Sequence, residues 1–527
     1  MSLTTRVWHA IDRFRPASLL TMSYSSLPTG SLPSSLDGSP VLEPPPSTKP
    51  RTRLQACIWV IVGFLLSSLL SRGAYPQAGS STTRPIVVNC DRLERLAKDR
   101  TIGPPETLLG ATDRTGVPGP AQLLSQQAPA VSLYDALRDD LRYLTADSWS
   151  GEVGQLLSVF SLLHLAQQTQ RVAIVPSVWR DRDHYGSSSV RFGDLFDLEK
   201  FRRRTGTLFV EWSDVKPFNL SSSRVKNDNV GCISWNGFED GRSFGDYRVS
   251  TTAWTLPKPY GFASDSVEGH ILFDYDFSTR LEITRQVARE TGRAIPRNMR
   301  SDQLLCYTNV WGMTRAGSWA PGTWWNTDYK DFEGVQSSQA GVRTLFHPSL
   351  RGDHPEFWSI GQHLDFTPAV WEVALQAVQT TLEVEDLSVN LITVHIRRGD
   401  FASWCPTGHD CVAPIERYRE AVDEINRDLA EPATVLVTTD ETSSEFRASI
   451  RELGWYVINH DELGTAALLQ DRFGASSGWW DSAVDQAILS LGNSGFVGTL
   501  DSQVSLVSAL RVASWNNGRT KFVQRPH

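Results

Sequence analysis

The chain has 527 residues, enough for two or three domains. Its 18 tryptophans and 22 phenylalanines provide ample core, and such aromatic richness serves packing as readily as sugar stacking. A formal net charge of −8 excludes a general nucleic-acid binder, and no nucleic-acid partner is expected.

Residues 1–53 are rich in Ser, Pro, Leu and Thr and include Pro44-Pro45-Pro46, the composition of a disordered tail. Residues 54–71 form an uncharged apolar run of about 18 residues, just long enough to span a bilayer. Lys49, Arg51 and Arg53 precede it closely and Arg72 alone follows. This asymmetry predicts a single-pass type II anchor, with the tail in the cytosol and the bulk of the chain in the lumen. The run begins too far into the chain for a cleaved signal peptide. A buried core helix is the other reading of such a run. The short span suits the thin membranes of the endoplasmic reticulum and early Golgi.

Cysteine usage fits a lumenal site, where disulfides form. Cys405 is expected to pair with Cys411, and Cys232 with Cys306, leaving Cys90 unpaired. No cysteine pairs have zinc-site spacing, and no metal is expected. Asn219-Leu220-Ser221 is a glycosylation sequon.

Residues 72–130 read as a stem, with Gly103-Pro104-Pro105 and Gly116-Val117-Pro118-Gly119-Pro120. From Val131 the pattern turns globular. An amphipathic helix is expected over 154–168 and a strand over 172–176. The middle, 179–368, is rich in loops and aromatics, with an interrupted strand at 206–212. Trp311, Trp319, Trp324 and Trp325 lie in Gly-rich surroundings, as packing under loops or as the lining of an acceptor groove. From residue 367 helices and strands alternate. Helices are expected at 368–382, 414–429, 443–453, 480–491 and 502–512, and strands at 391–396, 433–438, 455–458 and 495–499. This alternation predicts a parallel, doubly wound sheet. The expected fold is α/β, two Rossmann-like domains (131–366 and 367–527) facing a cleft, preceded by a single transmembrane helix.

Three strand ends in the second half are polar: His395 to Asp400, Thr439-Asp440, and Thr499 to Ser505. In a parallel sheet they lie along one edge, where ligands of open α/β sheets bind. The pair Arg397 and Arg398, directly after a buried apolar strand, suits a diphosphate, because guanidinium forks match phosphate oxygens. Ser502, Gln503 and Ser505 stand at a helix start, where backbone N–H groups also favour anions. His395 and Asp485 are candidates to bond a nucleobase or ribose. Each has a plainer role open to it. The arginines suit a solvated turn, His395 a structural bond, Asp440 a helix cap and Asp485 a surface position.

His395-Ile396-Arg397-Arg398-Gly399-Asp400 resembles the first signature of the GDP-fucose-dependent fucosyltransferases, which include protein O-fucosyltransferases, α1,6-fucosyltransferases and rhizobial relatives. Val435 to Glu441 resembles the second signature, and Asp485 through Ser505 the third. Ser150-Gly151-Glu152-Val153-Gly154-Gln155 resembles the family's Gly-rich loop. The resemblance spans about Thr145 to Arg519. It implies a GT-B fold and Arg397 as the principal catalytic residue, gripping the GDP phosphates. It implies Arg398 as a second basic position and His395 and Asp485 as guanosine contacts. It also implies phosphate binding at Ser502, Gln503 and Ser505, and a contact from Asp440. Glu152 matches a glutamate that one branch uses as general base, and an exposed carboxylate favoured by the helix dipole is the alternative. Gln155 replaces the family's usual asparagine, Ser502-Gln503 its paired serines, and the middle of the chain matches nothing in it.

The expected function is therefore an inverting glycosyltransferase of the secretory pathway, moving fucose from GDP-fucose to a hydroxyl of an unidentified glycan or protein. No cofactor is expected beyond the GDP-sugar donor. A transferase using another GDP-sugar, or a non-catalytic membrane-anchored GDP-sugar or glycan binder of the same fold, are the alternatives.

Overall fold

The computed structural model describes residues 116–147, 151–179, 189–217, 226–234, 247–255, 277–308, 310, 342–344, 354–399, 401, 412–473, 480–500 and 502–524. The expected tail, membrane span, Cys405–Cys411 pair, sequon, Asp400 and the four middle tryptophans lie outside them. Among the described residues no helix is long and apolar enough to cross a membrane.

Two six-stranded sheets dominate. The first takes β1 (Tyr143–Asp147), β2 (Val172–Val175), β5 (Phe209–Glu211), β6 (Asp228–Ser234), β7 (Val249–Thr255) and β8 (Leu304–Thr308). Its order is β5-β2-β1-β8-β6-β7, and every pairing is parallel. Between β2 and β5, β3 (Val178–Trp179) and β4 (Ser189–Val190) pair antiparallel. The second sheet takes β9 (Val342–Thr344), β10 (Leu391–Ile396), β11 (Thr434–Thr439), β12 (Tyr456–Val457), β13 (Gly495–Thr499) and β14 (Arg519–Val523). Its order is β12-β11-β10-β13-β14-β9, parallel except at the β14–β9 edge. Strands such as β10, buried at all six positions, are apolar without alternation because a parallel sheet is covered on both faces.

Helices of nine or more residues are α1 (Glu152–Thr169), α2 (Phe277–Thr291), α3 (Pro368–Leu382), α4 (Ile415–Asn426), α5 (Ser444–Glu452), α6 (Thr465–Phe473), α7 (Trp480–Leu489) and α8 (Gln503–Asn516). The helix expected to be amphipathic is instead buried almost all round. α1 packs on β1 and β2 with one side, and on α8 and the turn Pro355–Ser359 with others. One apolar cluster therefore runs from Leu144 and Phe160 through Val370 to Val484 and Val507, joining the elements of both sheets. Each large side chain fully buried there contributes roughly 1.5–3 kcal/mol.

Three differences from the sequence expectation have physical causes. The stem was expected to run to residue 130, yet Leu123, Leu124 and Ala130 are buried beside Val210 and Trp212. Gly and Pro mark the stretch as loop, but its leucines find a core to cover. β9 lies before residue 367 yet joins the second sheet, where Arg343 pairs with Phe522. The middle also supplies β6, β7, β8 and α2, whose polar and Gly-interrupted strands hide their period. Cys232 on β6 and Cys306 on β8 are bonded, as expected, with Cα atoms 4.4 Å apart. Direct ladder pairing between these strands is limited to Ile233 with Tyr307, so the bond ties them where the ladder is thin.

Candidate functional site

The strand order of the second sheet reverses beside β10. The chain steps outward from β10 to β11 and β12, then returns to β13 and β14 on the other side. Such a reversal opens a crevice at the carboxyl ends of the two central strands, here β10 and β13. In register, His395 stands beside Gly498 on one side and Thr438 on the other, and Ile396 beside Thr439. Residues after 396, 439 and 499 therefore share one edge, as the sequence predicted.

Arg397 is held from two directions. Its backbone N–H donates to Thr499 Oγ1 at 2.8 Å, and its Nη1 donates to Asp440 Oδ2 at 2.7 Å. Its guanidinium carbon also sits 5.6 Å from the Phe401 ring centroid. The side chain keeps 22% exposure, so the cation is aimed rather than sealed. Asp440 uses its other oxygen to accept from the Arg398 N–H at 2.7 Å, so it bridges the two arginines. Gly399 makes room for this bridge: a Cβ there would lie 2.5 Å from Asp440 Oδ2. Arg398 is turned elsewhere. Its Nε donates to Glu441 at 3.3 Å, and its guanidinium stacks 4.2 Å over Phe446 on α5.

His395 is buried on β10, with Nδ1 2.8 Å from Ser505 Oγ. Burial lowers its pKa to about 4 against the opposing field of Asp440, with Arg397 adding to the fall. The ring is thus neutral at physiological pH and offers one donor and one acceptor. Ser505 also accepts from the Thr499 N–H at 3.0 Å, and Gly498 lets it come close, since a Cβ there would meet Ser505 Cβ at 2.6 Å. Ser502 caps α8 by accepting from the Ser505 N–H at 3.3 Å. Both hydroxyls, expected to meet phosphate, are engaged in building the crevice. What α8 presents there is its start, with Gln503 as its first residue and first-turn N–H groups that have no partner within the helix.

Asp485, on α7, pairs with His460 Nε2 at 3.0 Å, and its charge also acts on His395. The next residue, Gln486, donates from Nε2 to Glu152 Oε1 at 3.0 Å, across 334 residues of sequence. Glu152 begins α1, so this bond brings the Gly-rich loop of the first half against the aspartate helix of the second. Glu152 as a residue is partly exposed, but its Oε2 is shielded from solvent and has no hydrogen-bond partner. Burial pushes the carboxyl up to about 7, against the pull of Ser482, Arg511 and Gln486. Arg511 is itself fully buried, stacked 4.4 Å over Phe366, and donates to Gln486 Oε1 at 3.3 Å. Gln486 thus stands between a buried carboxyl and a buried guanidinium.

The structure gathers Arg397, Asp440, His395, Ser502, Ser505 and the start of α8 at one crevice. It sets Asp485 and Glu152 on the adjoining α7 contacts and points Arg398 toward α5. Sequence reasoning missed Tyr418, whose hydroxyl lies 2.7 Å from Thr499 Oγ1, and the set of His460, Gln486 and Arg511. A histidine just after the apolar run 455–458, followed by Asp461, was the available signal for His460. Arg511, inside an apolar helix, was conspicuous for being charged.

No protein-family model matches the chain. No curated protein matches it in sequence. In structure it is similar to POFUT1 in complex with GDP-fucose, at 12% identity and TM-score 0.43, over 74% of this chain and 99% of that one. It is similar to the NodZ α-1,6-fucosyltransferase co-crystallized with GDP, at 11% identity and TM-score 0.35, over 74% and 100%. The NodZ fucosyltransferase from Bradyrhizobium is similar at 10% identity and TM-score 0.34, over 73% and 100%.

Proposed function

We propose that this chain is a glycosyltransferase that moves fucose from GDP-fucose to an acceptor hydroxyl, with inversion and without a metal. One observation carries the proposal. Arg397 stands at the crevice between β10 and β13, aimed by Asp440 and Thr499, beside the start of α8. When the sugar leaves, the bond from its anomeric carbon to the diphosphate breaks and negative charge grows on the phosphate. A fixed guanidinium and first-turn N–H groups stabilise that charge more in the transition state than in the bound donor. The acceptor oxygen forms the new bond from the opposite side, which inverts the anomeric centre.

His395, neutral and walled in by Ser505, and Asp485 supply polar groups for the nucleoside, as the sequence resemblance implies. Glu152 is the proposed base for the acceptor proton, since a carboxyl poised near neutral pH is suited to that work. Its bond to Gln486 and its shielded Oε2 favour a second reading, in which Glu152 ties the two halves of the chain together and no side chain acts as base. The Cys232–Cys306 bond supports an oxidising compartment, in line with the proposed type II anchor and a lumenal site in the Golgi or endoplasmic reticulum.

Calorimetric titration of the full chain in detergent with GDP-fucose, GDP-mannose and UDP-sugars tests this. GDP compounds are expected to bind and UDP compounds to fail. Arg397→Ala is expected to weaken GDP binding by roughly tenfold or more, as for loss of a charge-assisted contact. Equal binding by wild type and variant would exclude the proposed site.

A further inference from the structure

We infer that His460 is a positioning residue of the donor site, fixing the Asp485 carboxylate and making nucleotide affinity depend on its own protonation. This rests on the proposed nucleoside role of Asp485. His460 opens the turn His460–Leu463 that follows β12. Both ring nitrogens are engaged: Nε2 lies 3.0 Å from Asp485 Oδ1 and Nδ1 lies 3.1 Å from Thr465 Oγ1. An ionised carboxylate only accepts, so Nε2 carries a proton, and in the neutral ring Nδ1 accepts from the threonine hydroxyl. Gly464, with φ of 63°, closes the turn and sets buried Thr465 beneath the ring. The ring is therefore held at both ends, and its orientation dictates that of Asp485.

Among the described residues, the charges around His460 come from three places. Asp481 and Asp485 face it from α7, with Asp481 Oδ1 4.0 Å from Nδ1, and Asp461 is its neighbour in the turn. α3 also packs on the turn and carries one ionisable side chain, Glu372. Burial pulls the His460 pKa down, but Asp485, Asp481 and Asp461 outweigh it and raise it overall. Asp481 Oδ1 is shielded and has no hydrogen-bond partner, and burial raises that carboxyl. Asp481 and Asp485 are four residues apart on one helix, where like charges repel. Protonated His460 offsets that repulsion and keeps Asp485 in place. Neutral His460 leaves the aspartates opposed. Affinity for an anionic nucleotide should thus be highest with His460 charged and fall as pH rises through its raised pKa.

The experiment measures GDP dissociation constants of the full chain over a pH series that spans the ordinary histidine range and extends above it. Wild type, His460→Gln, His460→Ala, Asp485→Asn and Arg397→Ala are compared. His460→Gln keeps a donor for Asp485 without titrating, so its affinity should stay near the wild-type value at high pH and lose the gain at low pH. His460→Ala should bind roughly tenfold more weakly at low pH, with the same flat profile. Titration of the nucleotide's own phosphate is common to all variants and cancels in the comparison. A wild-type pH profile in His460→Gln overturns the inference, even if His460→Ala fails to fold. GDP binding that needs Arg397 and Asp485 but ignores His460 overturns this inference alone. Failure of wild type to bind GDP overturns the proposed function as well.

Discussion

Gly399 is where the motif's chemistry becomes geometry. Arg397 alone on a strand end would sample many rotamers. Asp440 confines it by accepting from its guanidinium and from the Arg398 backbone together. The carboxylate reaches both only because residue 399 has no side chain, a Cβ there falling 2.5 Å from Oδ2. Gly399→Ala is therefore expected to displace Asp440 and loosen Arg397. It should weaken GDP binding by about tenfold, the scale of one lost charge-assisted bond, with less than about 1 kcal/mol lost in stability. Calorimetry beside urea unfolding checks this, and a variant that loses stability but keeps affinity contradicts it. The glycine, the arginines and the aspartate were all readable as residues. Their mutual contact was not, because Asp440 lies more than forty residues away and approaches through sheet register. The same holds for Ser502 and Ser505. Their place at a helix start was readable, but that their hydroxyls serve the cap and His395 depends on how closely α8 sits against β13.

At the scale of elements, the second half read well and the first half poorly. β10, β11 and β13 are continuous apolar runs separated by helices of clear period, which is how buried parallel strands appear in sequence. β6 begins Asp-Asn-Val-Gly-Cys and β7 begins Val-Ser-Thr-Thr, so neither alternation nor continuous apolarity marks them. These strands lean on other ties. Asn298 bonds Gly231 from both sides, its Oδ1 accepting at 2.8 Å and its Nδ2 donating at 2.9 Å. The disulfide joins β6 to β8 across a separation of 74 residues. Replacing both Cys232 and Cys306 by serine should cost about 3–4 kcal/mol through a freer unfolded chain. Because the bond lies in the first sheet, GDP affinity of the folded variant should match wild type. Thermal melting together with nucleotide titration checks both halves of this expectation.

At the scale of the whole molecule, Glu152 and His395 set opposed pH dependences, and His363, which burial also lowers to about 4, adds to the His395 side. Glu152 is pushed from 4.5 to about 7 on folding, so the native state holds a proton that the unfolded chain has released. Its contribution is full at low pH and lost as pH rises toward 7. His395 is pushed from 6.5 to about 4, so the unfolded chain takes a proton that the native state refuses. Its contribution is full above the unfolded value and lost as pH falls toward 4. Each amounts to something on the order of 3 kcal/mol, and between pH 5 and 6.5 the Glu152 and His395 contributions largely cancel. Glu152→Gln removes one side of the balance. Its stability at about pH 5 relative to pH 7 should fall below that of wild type by about 2 kcal/mol in urea titrations. If Glu152 is also the base, the variant loses turnover on a true acceptor; if it only ties α1 to α7 through Gln486, turnover survives. An identical stability profile in variant and wild type would contradict the buried-carboxyl account.

Local pattern was sufficient to establish an α/β chain, a parallel second half, and a pair of arginines poised at the end of a buried strand. Those properties depend on side-chain period and on the cost of placing charge beside an apolar run, and both are written residue by residue. Folding added the order of the strands, and with it the β10–β13 crevice, the Asp440 bridge beneath Gly399, the His460 hold on Asp485 and the bond from Gln486 to Glu152. Each joins residues far apart in sequence, and each exists because crossovers and burial, not local preference, choose which strand ends become neighbours.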